Sequence, residues 1–95
     1  MLINRRTFVI RRGQFDEALA LMREAVQQSG APTRILIPEV APFDHLVVEG
    51  EFESLAAYER YWGEWFASPD ATAFLERWQT VTDTGGTNEI WRVVA

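Results

Sequence analysis

The chemistry-bearing residue types that this sequence lacks close off several reaction classes. Cysteine is absent, which removes thiolate nucleophiles, sulfur-ligated metals and disulfides together. All nine basic residues are arginines, so Schiff-base chemistry and a Walker-type phosphate loop are excluded. The one histidine, His45, rules out a histidine-pair metal site and any relay that needs two imidazoles. Three serines occur (Ser29, Ser54 and Ser68), none within Gly-x-Ser-x-Gly; Ser54 and Ser68 read as helix caps, and Ser29 sits at a helix end. The candidates for catalysis are His45 and Tyr61. His45 follows Asp44 and suits a general base or a ligand contact, because histidine alone ordinarily titrates near neutrality. The bland reading is a satisfied histidine at a strand start. Asp44, His45 and Glu49 have no diagnostic ligand spacing, so neither a metal nor a cofactor is expected.

The binding candidates are aromatic and cationic. Eight of the twelve aromatic residues fall between Phe52 and Trp78. Leu55, Tyr58, Trp62, Trp65 and Phe66 form one helical stripe flanked by Tyr61, and Phe74 and Trp78 repeat the spacing further on. Such rings fill a small core, each burying about 150–250 Å². They can also leave a cleft in which hydroxyl and indole N–H groups orient a flat, mostly apolar ligand, with Tyr58, Tyr61, Trp62, Trp65 and Phe66 as its wall. Asn4 and Arg6 share one face of the first strand with Phe8 and Ile10, and supply the polar groups opposite that wall. Four arginines (Arg5, Arg6, Arg11 and Arg12) crowd the first twelve residues. Either they are solvated strand ends, or some form an anion site for a substrate carboxylate.

The elements that position these residues follow from periodicity. Residues 2–11 are rich in β-branched and aromatic types and end at Gly13, a strand. Phe15, Ala18, Leu19, Met22 and Val26 mark one face of a helix, with Asp16 and Glu17 in its first turn and Gly30 and Pro32 as its stop. Thr33 to Glu39 is a second strand, placed at a sheet edge or ended there by Pro38. After a turn over 41–44, His45 to Phe52 is a third strand, which can pair with the second as a hairpin. Ser54 caps a helix reaching Ala67. Ser68-Pro69-Asp70 breaks it and starts another segment running to about Thr80. Asn88 to Val94 is the last strand. This is an α+β chain in β-α-β-β-α-β order, a ferredoxin-like arrangement with a four-stranded antiparallel sheet and helices on one face.

Ninety-five residues make one domain, 1–95, that buries only about 60–65% of its unfolded surface. Two helices cover one sheet face. Phe8-Val9-Ile10, Ile35-Leu36-Ile37, Leu46-Val47-Val48 and Val93-Val94 read as apolar on both faces, so a second copy is expected on the open side. A net charge of −5 argues against nucleic acid as a partner. No apolar run approaches the roughly 20 residues that span a bilayer, and Met1 to Arg6 lacks a signal-peptide core, so a cytoplasmic location is the expectation.

Arg6-Thr7-Phe8-Val9-Ile10-Arg11-Arg12-Gly13, running into a Phe15-centred helix, resembles the start of NIPSNAP-like proteins. So does Glu51-Phe52-Glu53-Ser54-Leu55 followed by Tyr58, Trp62, Trp65 and Ser68-Pro69-Asp70, and Glu89-Ile90-Trp91-Arg92 is similar to their last strand. The resemblance spans almost the whole chain and specifies a fold better than an activity. It implies a dimeric α/β barrel: a homodimer with a ligand cleft between sheet and helices in each protomer. That group includes cofactor-free monooxygenases of polyketide biosynthesis, haem-degrading enzymes and many domains without an assigned reaction. Asn4 with Trp62 or Trp65 can mimic the asparagine and tryptophan of the haem degraders, but neither helix offers their iron-binding histidine. Three functional readings follow: a homodimeric domain binding a small apolar or aromatic molecule, a cofactor-independent monooxygenase or isomerase acting on a phenolic or polyketide-like substrate, and a purely structural dimerisation module.

Overall fold

A computed structural model describes residues 1–95 as β1 (Leu2–Val9), α1 (Phe15–Ser29), β2 (Thr33–Leu36), β3 (His45–Phe52), α2 (Leu55–Phe66), α3 (Pro69–Trp78) and β4 (Thr87–Arg92). The four strands form one antiparallel sheet in the order β2-β3-β1-β4. This is the ferredoxin-like α+β fold, with the second helical region in two segments.

Local chemistry sets the boundaries. Gly30 ends α1 in the left-handed conformation (φ 68°), which costs glycine little. The Ser54 Oγ accepts from the Ala57 N–H at 3.1 Å and caps α2. Ser68 stands at the N-cap of α3 but makes no capping bond; its hydroxyl donates instead to the Trp65 carbonyl at 2.6 Å, closing the end of α2. Strand β2 is an edge strand and stops at Leu36, short of the Glu39 expected, because Ile37 precedes a proline that has no N–H for the ladder. Strand β4 likewise stops at Arg92, leaving Val94 almost fully exposed.

The register sorts side chains between the two faces. Leu2, Asn4, Arg6 and Phe8 lie opposite Phe52, Gly50, Val48 and Leu46, and this set faces the helices. Ile3, Arg5, Thr7 and Val9 lie opposite Glu51, Glu49, Val47 and His45 on the other face. Ile10, Ala18, Leu21, Met22, Leu46, Trp78 and Val81 form the buried core between sheet, α1 and α3. Helix α2 contributes no fully buried residue and lies beside that core.

The open sheet face differs from a uniformly apolar surface. At its centre Glu49, only 4% exposed, is held by Arg5 (Nε to Oε2, 2.6 Å) and by Arg34 (Nη2 to Oε1, 2.6 Å; Nε to Oε1, 2.8 Å). Apolar side chains flank this cluster: Leu36, Trp91 and Val93 are exposed, as are Ile37, Val40 and Phe43 in the β2–β3 connection. Each three-residue apolar run of the sequence puts its middle residue (Val9, Leu36 and Val47) outward, and the charged row of Arg34, Glu49 and Arg5 separates those positions from Ile3 and Trp91.

Candidate functional site

An apolar cavity of about 130 Å³ lies between the sheet and the helices, and 14 of its 19 lining residues are hydrophobic. Its floor is the helix-facing register of β1 and β3: Asn4, Arg6, Phe8, Val48, Gly50 and Phe52. Gly50 matters here because it leaves the floor open between Phe52 and Val48. The walls are Met22, Ala25 and Val26 from α1, Tyr61, Trp62, Trp65 and Phe66 from α2, and Phe74 and Trp78 from α3. Exposed Phe66 and Leu75 mark its mouth.

Ring contacts run unbroken round this cavity. Phe52 meets Tyr61 (5.4 Å between centroids), Tyr61 meets Trp62 (5.1 Å), and Trp62 meets Trp65 (5.5 Å). The series continues from Trp65 to Phe74 (6.0 Å), Phe74 to Trp78 (5.3 Å) and Trp78 to Phe8 (5.1 Å). Most are edge-to-face, the geometry that the ring quadrupole favours. Rings that meet edge-on leave gaps between them, and the cavity is one such gap.

One polar corner interrupts the apolar lining. Asn4, 3% exposed, donates through Nδ2 to Asn88 Oδ1 (2.7 Å) and to the Glu89 carbonyl (3.0 Å), while its Oδ1 accepts from Arg6 Nε at 3.2 Å. Asn88 Nδ2 in turn donates to the Tyr58 hydroxyl at 3.4 Å. The Arg6 guanidinium lies 3.7 Å from the centroid of a Trp62 ring, a cation–π contact. Trp62 Nε1 is buried and has no acceptor.

Six of the eight residues singled out in the sequence, Asn4, Arg6, Tyr61, Trp62, Trp65 and Phe66, therefore line one cavity. Tyr58 sits outside the lining, its ring edge-on to Phe52 at 5.5 Å and its hydroxyl on Asn88. His45 stands on the opposite sheet face, across from Val9, and its Nδ1 donates to the Phe43 carbonyl at 2.7 Å. The trio Asp44, His45 and Glu49 does not converge: Asp44 pairs with Arg12 at 2.9 Å, and Glu49 with Arg5 and Arg34. Of the four N-terminal arginines, Arg5, Arg11 and Arg12 each pair with a carboxylate, and Arg6 alone lines the cavity.

Phe8, Phe74 and Trp78 also line the cavity, and Asn88 is the partner of Asn4, none of them among the site residues expected from sequence. Phe8 was within reach, since it alternates with Asn4 and Arg6 on one strand. Asn88 required the β1–β4 register, which joins residues 84 positions apart.

No family model and no curated protein matches this sequence. Solved structures do. A NIPSNAP family protein from Agrobacterium tumefaciens superposes with a TM-score of 0.85 at 21% identity, over 98% of this chain and 85% of its own. An uncharacterized NIPSNAP domain protein from Burkholderia xenovorans gives 0.87 at 17% identity, over 100% and 96%. An antibiotic biosynthesis monooxygenase gives 0.73 at 20% identity, over the full length of both chains. At these identities the likeness establishes the fold: this chain folds as NIPSNAP family proteins do, in an architecture shared with that monooxygenase.

Proposed function

We propose that this NIPSNAP-like chain is a homodimeric domain that binds a small apolar or aromatic molecule between its sheet and its helices. The observation that carries the reading is the cavity itself, walled by contacting rings and bordered by one polar corner. A preformed apolar pocket with a few convergent polar groups is the usual form of a small-molecule site. The second copy belongs on the open sheet face, where Leu36, Trp91 and Val93 flank the Glu49 cluster. A thermal-shift screen with single- and double-ring aromatics tests the binding, and hits raise the melting temperature further as ligand concentration exceeds Kd. If none does while light scattering still gives twice the 10.9-kDa chain mass, the domain is a structural dimerisation module.

A cofactor-independent monooxygenase is the second reading. It is favoured by the fold likeness to an antibiotic biosynthesis monooxygenase and by Arg6, Asn4 and the Tyr61 side chain bordering an apolar cavity. In such a reaction a phenol and O2 give a quinone and water, the substrate supplying the electrons. The cation of Arg6 would stabilise the phenolate from which they leave, with Tyr61 at the reacting ring and His45 remote on the far face. Oxygen uptake with any phenolic hit decides between oxygenase and binding domain.

A further inference from the structure

The polar groups of the cavity are not balanced, and the imbalance defines what fits. Arg6 is the one charged residue in the lining, and it makes no ion pair. Its single hydrogen bond leaves through Nε to Asn4, so both Nη groups, the fork that matches a carboxylate, are free of protein acceptors. Of the other polar side chains, the Tyr61 hydroxyl makes no hydrogen bond within the protein, while the amide and aliphatic hydroxyl groups are engaged. Asn4 is bonded through both its oxygen and its nitrogen, the Ser29 hydroxyl donates to the Val26 carbonyl, and the Thr33 hydroxyl donates to the Ala31 carbonyl. Trp62, on which Arg6 stacks, adds a second donor with no acceptor. The site therefore has spare donors and one uncompensated positive charge. A partly buried cation in apolar surroundings is unfavourable until it is paired.

Arg6 is also held in place before any ligand arrives. Tyr58, Asn88 and Asn4 form a hydrogen-bonded chain ending at its Nε, and the Trp62 ring supports the face of the guanidinium. Size narrows the ligand further. A cavity of about 150 Å³ takes up benzene, so the 130 Å³ here suits one ring, with a substituent reaching towards the arginine or the mouth.

Resting on the binding reading above, we infer that the occupant is a small monoanion: one aromatic ring bearing a carboxylate that accepts from the Nη groups of Arg6. The test titrates the whole chain with benzoate and with its uncharged isostere benzamide, following binding by calorimetry. Benzoate is expected to bind about ten- to hundredfold tighter, the span of a hydrogen bond to a charged group. Arg6→Gln is expected to remove the preference for benzoate over benzamide, and an unliganded melting temperature close to that of the unmodified chain reports that the variant is folded. Arg60→Gln, on the exposed side of α2, keeps the preference. Equal binding of the two probes by the unmodified chain, or an Arg60→Gln loss as large as that of Arg6→Gln, overturns the anion inference and leaves the aromatic site standing. Binding of neither probe overturns both.

Discussion

Replacing Glu49 by glutamine removes one negative charge from the centre of the open sheet face while keeping the side chain's shape. The carboxylate is buried and accepts from Arg5 Nε at 2.6 Å and from Arg34 Nε and Nη2 at 2.8 and 2.6 Å. Fully buried, hydrogen bonds to a charged group contribute about 1.5–3 kcal/mol each. The arginine side chains are 45% and 71% exposed, so solvent screening brings each pair towards the surface range of about 0.2–1 kcal/mol. The glutamine also turns an N–H donor towards a guanidinium that has only donors, which adds an unpaired group. The sum is a loss of about 2 kcal/mol, or roughly 8–16 °C in melting temperature for a domain of this size.

The same carboxylate gives the loss a pH signature. Burial alone would raise its pKa, but the hydrogen bonds and charges of Arg34 and Arg5 outweigh burial and hold it below the ordinary 4.5. A folded-state value below the unfolded one contributes stability that is present above about pH 4.5 and disappears as pH falls through the folded value. Thermal denaturation of both proteins at pH 7 and on acidification to about pH 3, at one protein concentration, therefore shows a gap that narrows in acid. Equal melting temperatures at pH 7, or a gap unchanged down to pH 3, refutes the assignment of Glu49 as the charged keystone of this face.

Other perturbations report on the frame around the cavity. Gly86 has φ 88°, and a Cβ there would penetrate the Thr7 carbonyl; Gly86→Ala is expected to cost more than about 3 kcal/mol by forcing β4 off β1, as measured by urea unfolding. Gly63→Ala, inside α2 with nothing within 4 Å of the added carbon, is expected to gain about 0.5–1 kcal/mol in the same assay. Ala25→Leu projects into the cavity from α1 and is expected to raise the melting temperature while abolishing aromatic binding, by calorimetry with benzoate. Ser54→Ala removes the α2 cap and costs about 1 kcal/mol by urea unfolding.

The fold was readable because its signals are local. Gly30 stops a helix wherever it falls after an amphipathic run, Ser68-Pro69 breaks one helical region into two, and the proline at position 38 keeps β2 short and at the edge. The aromatic stripe of α2 was readable for the same reason, and it does wall the cavity. What the chain hid were relations between distant strands. Alternation places His45, Val47 and Glu49 on one face and Asn4, Arg6 and Phe8 on another, but only the register of β1 against β3 makes those faces opposite ones. That register separates His45 from the cavity. Tyr58 falls outside for a helical reason: it is one turn before Trp62, where Phe52 and Asn88 rather than the cavity meet it. The ionic centre of the open face was equally hidden, because Glu49 finds Arg5 and Arg34 only once β1, β2 and β3 are aligned.

The four tryptophans allow the binding claim to be read directly. Trp62, Trp65 and Trp78 line the cavity, and Trp91 lies on the far side of the sheet, opposite Ile3 and 55% exposed. In a nitrogen-15 correlation spectrum each indole N–H gives its own resonance, and titration with benzoate is predicted to move those of Trp62, Trp65 and Trp78 and to leave that of Trp91 in place. Movement of Trp91 alone, or of none of the four at saturating ligand, contradicts a small-molecule site between sheet and helices.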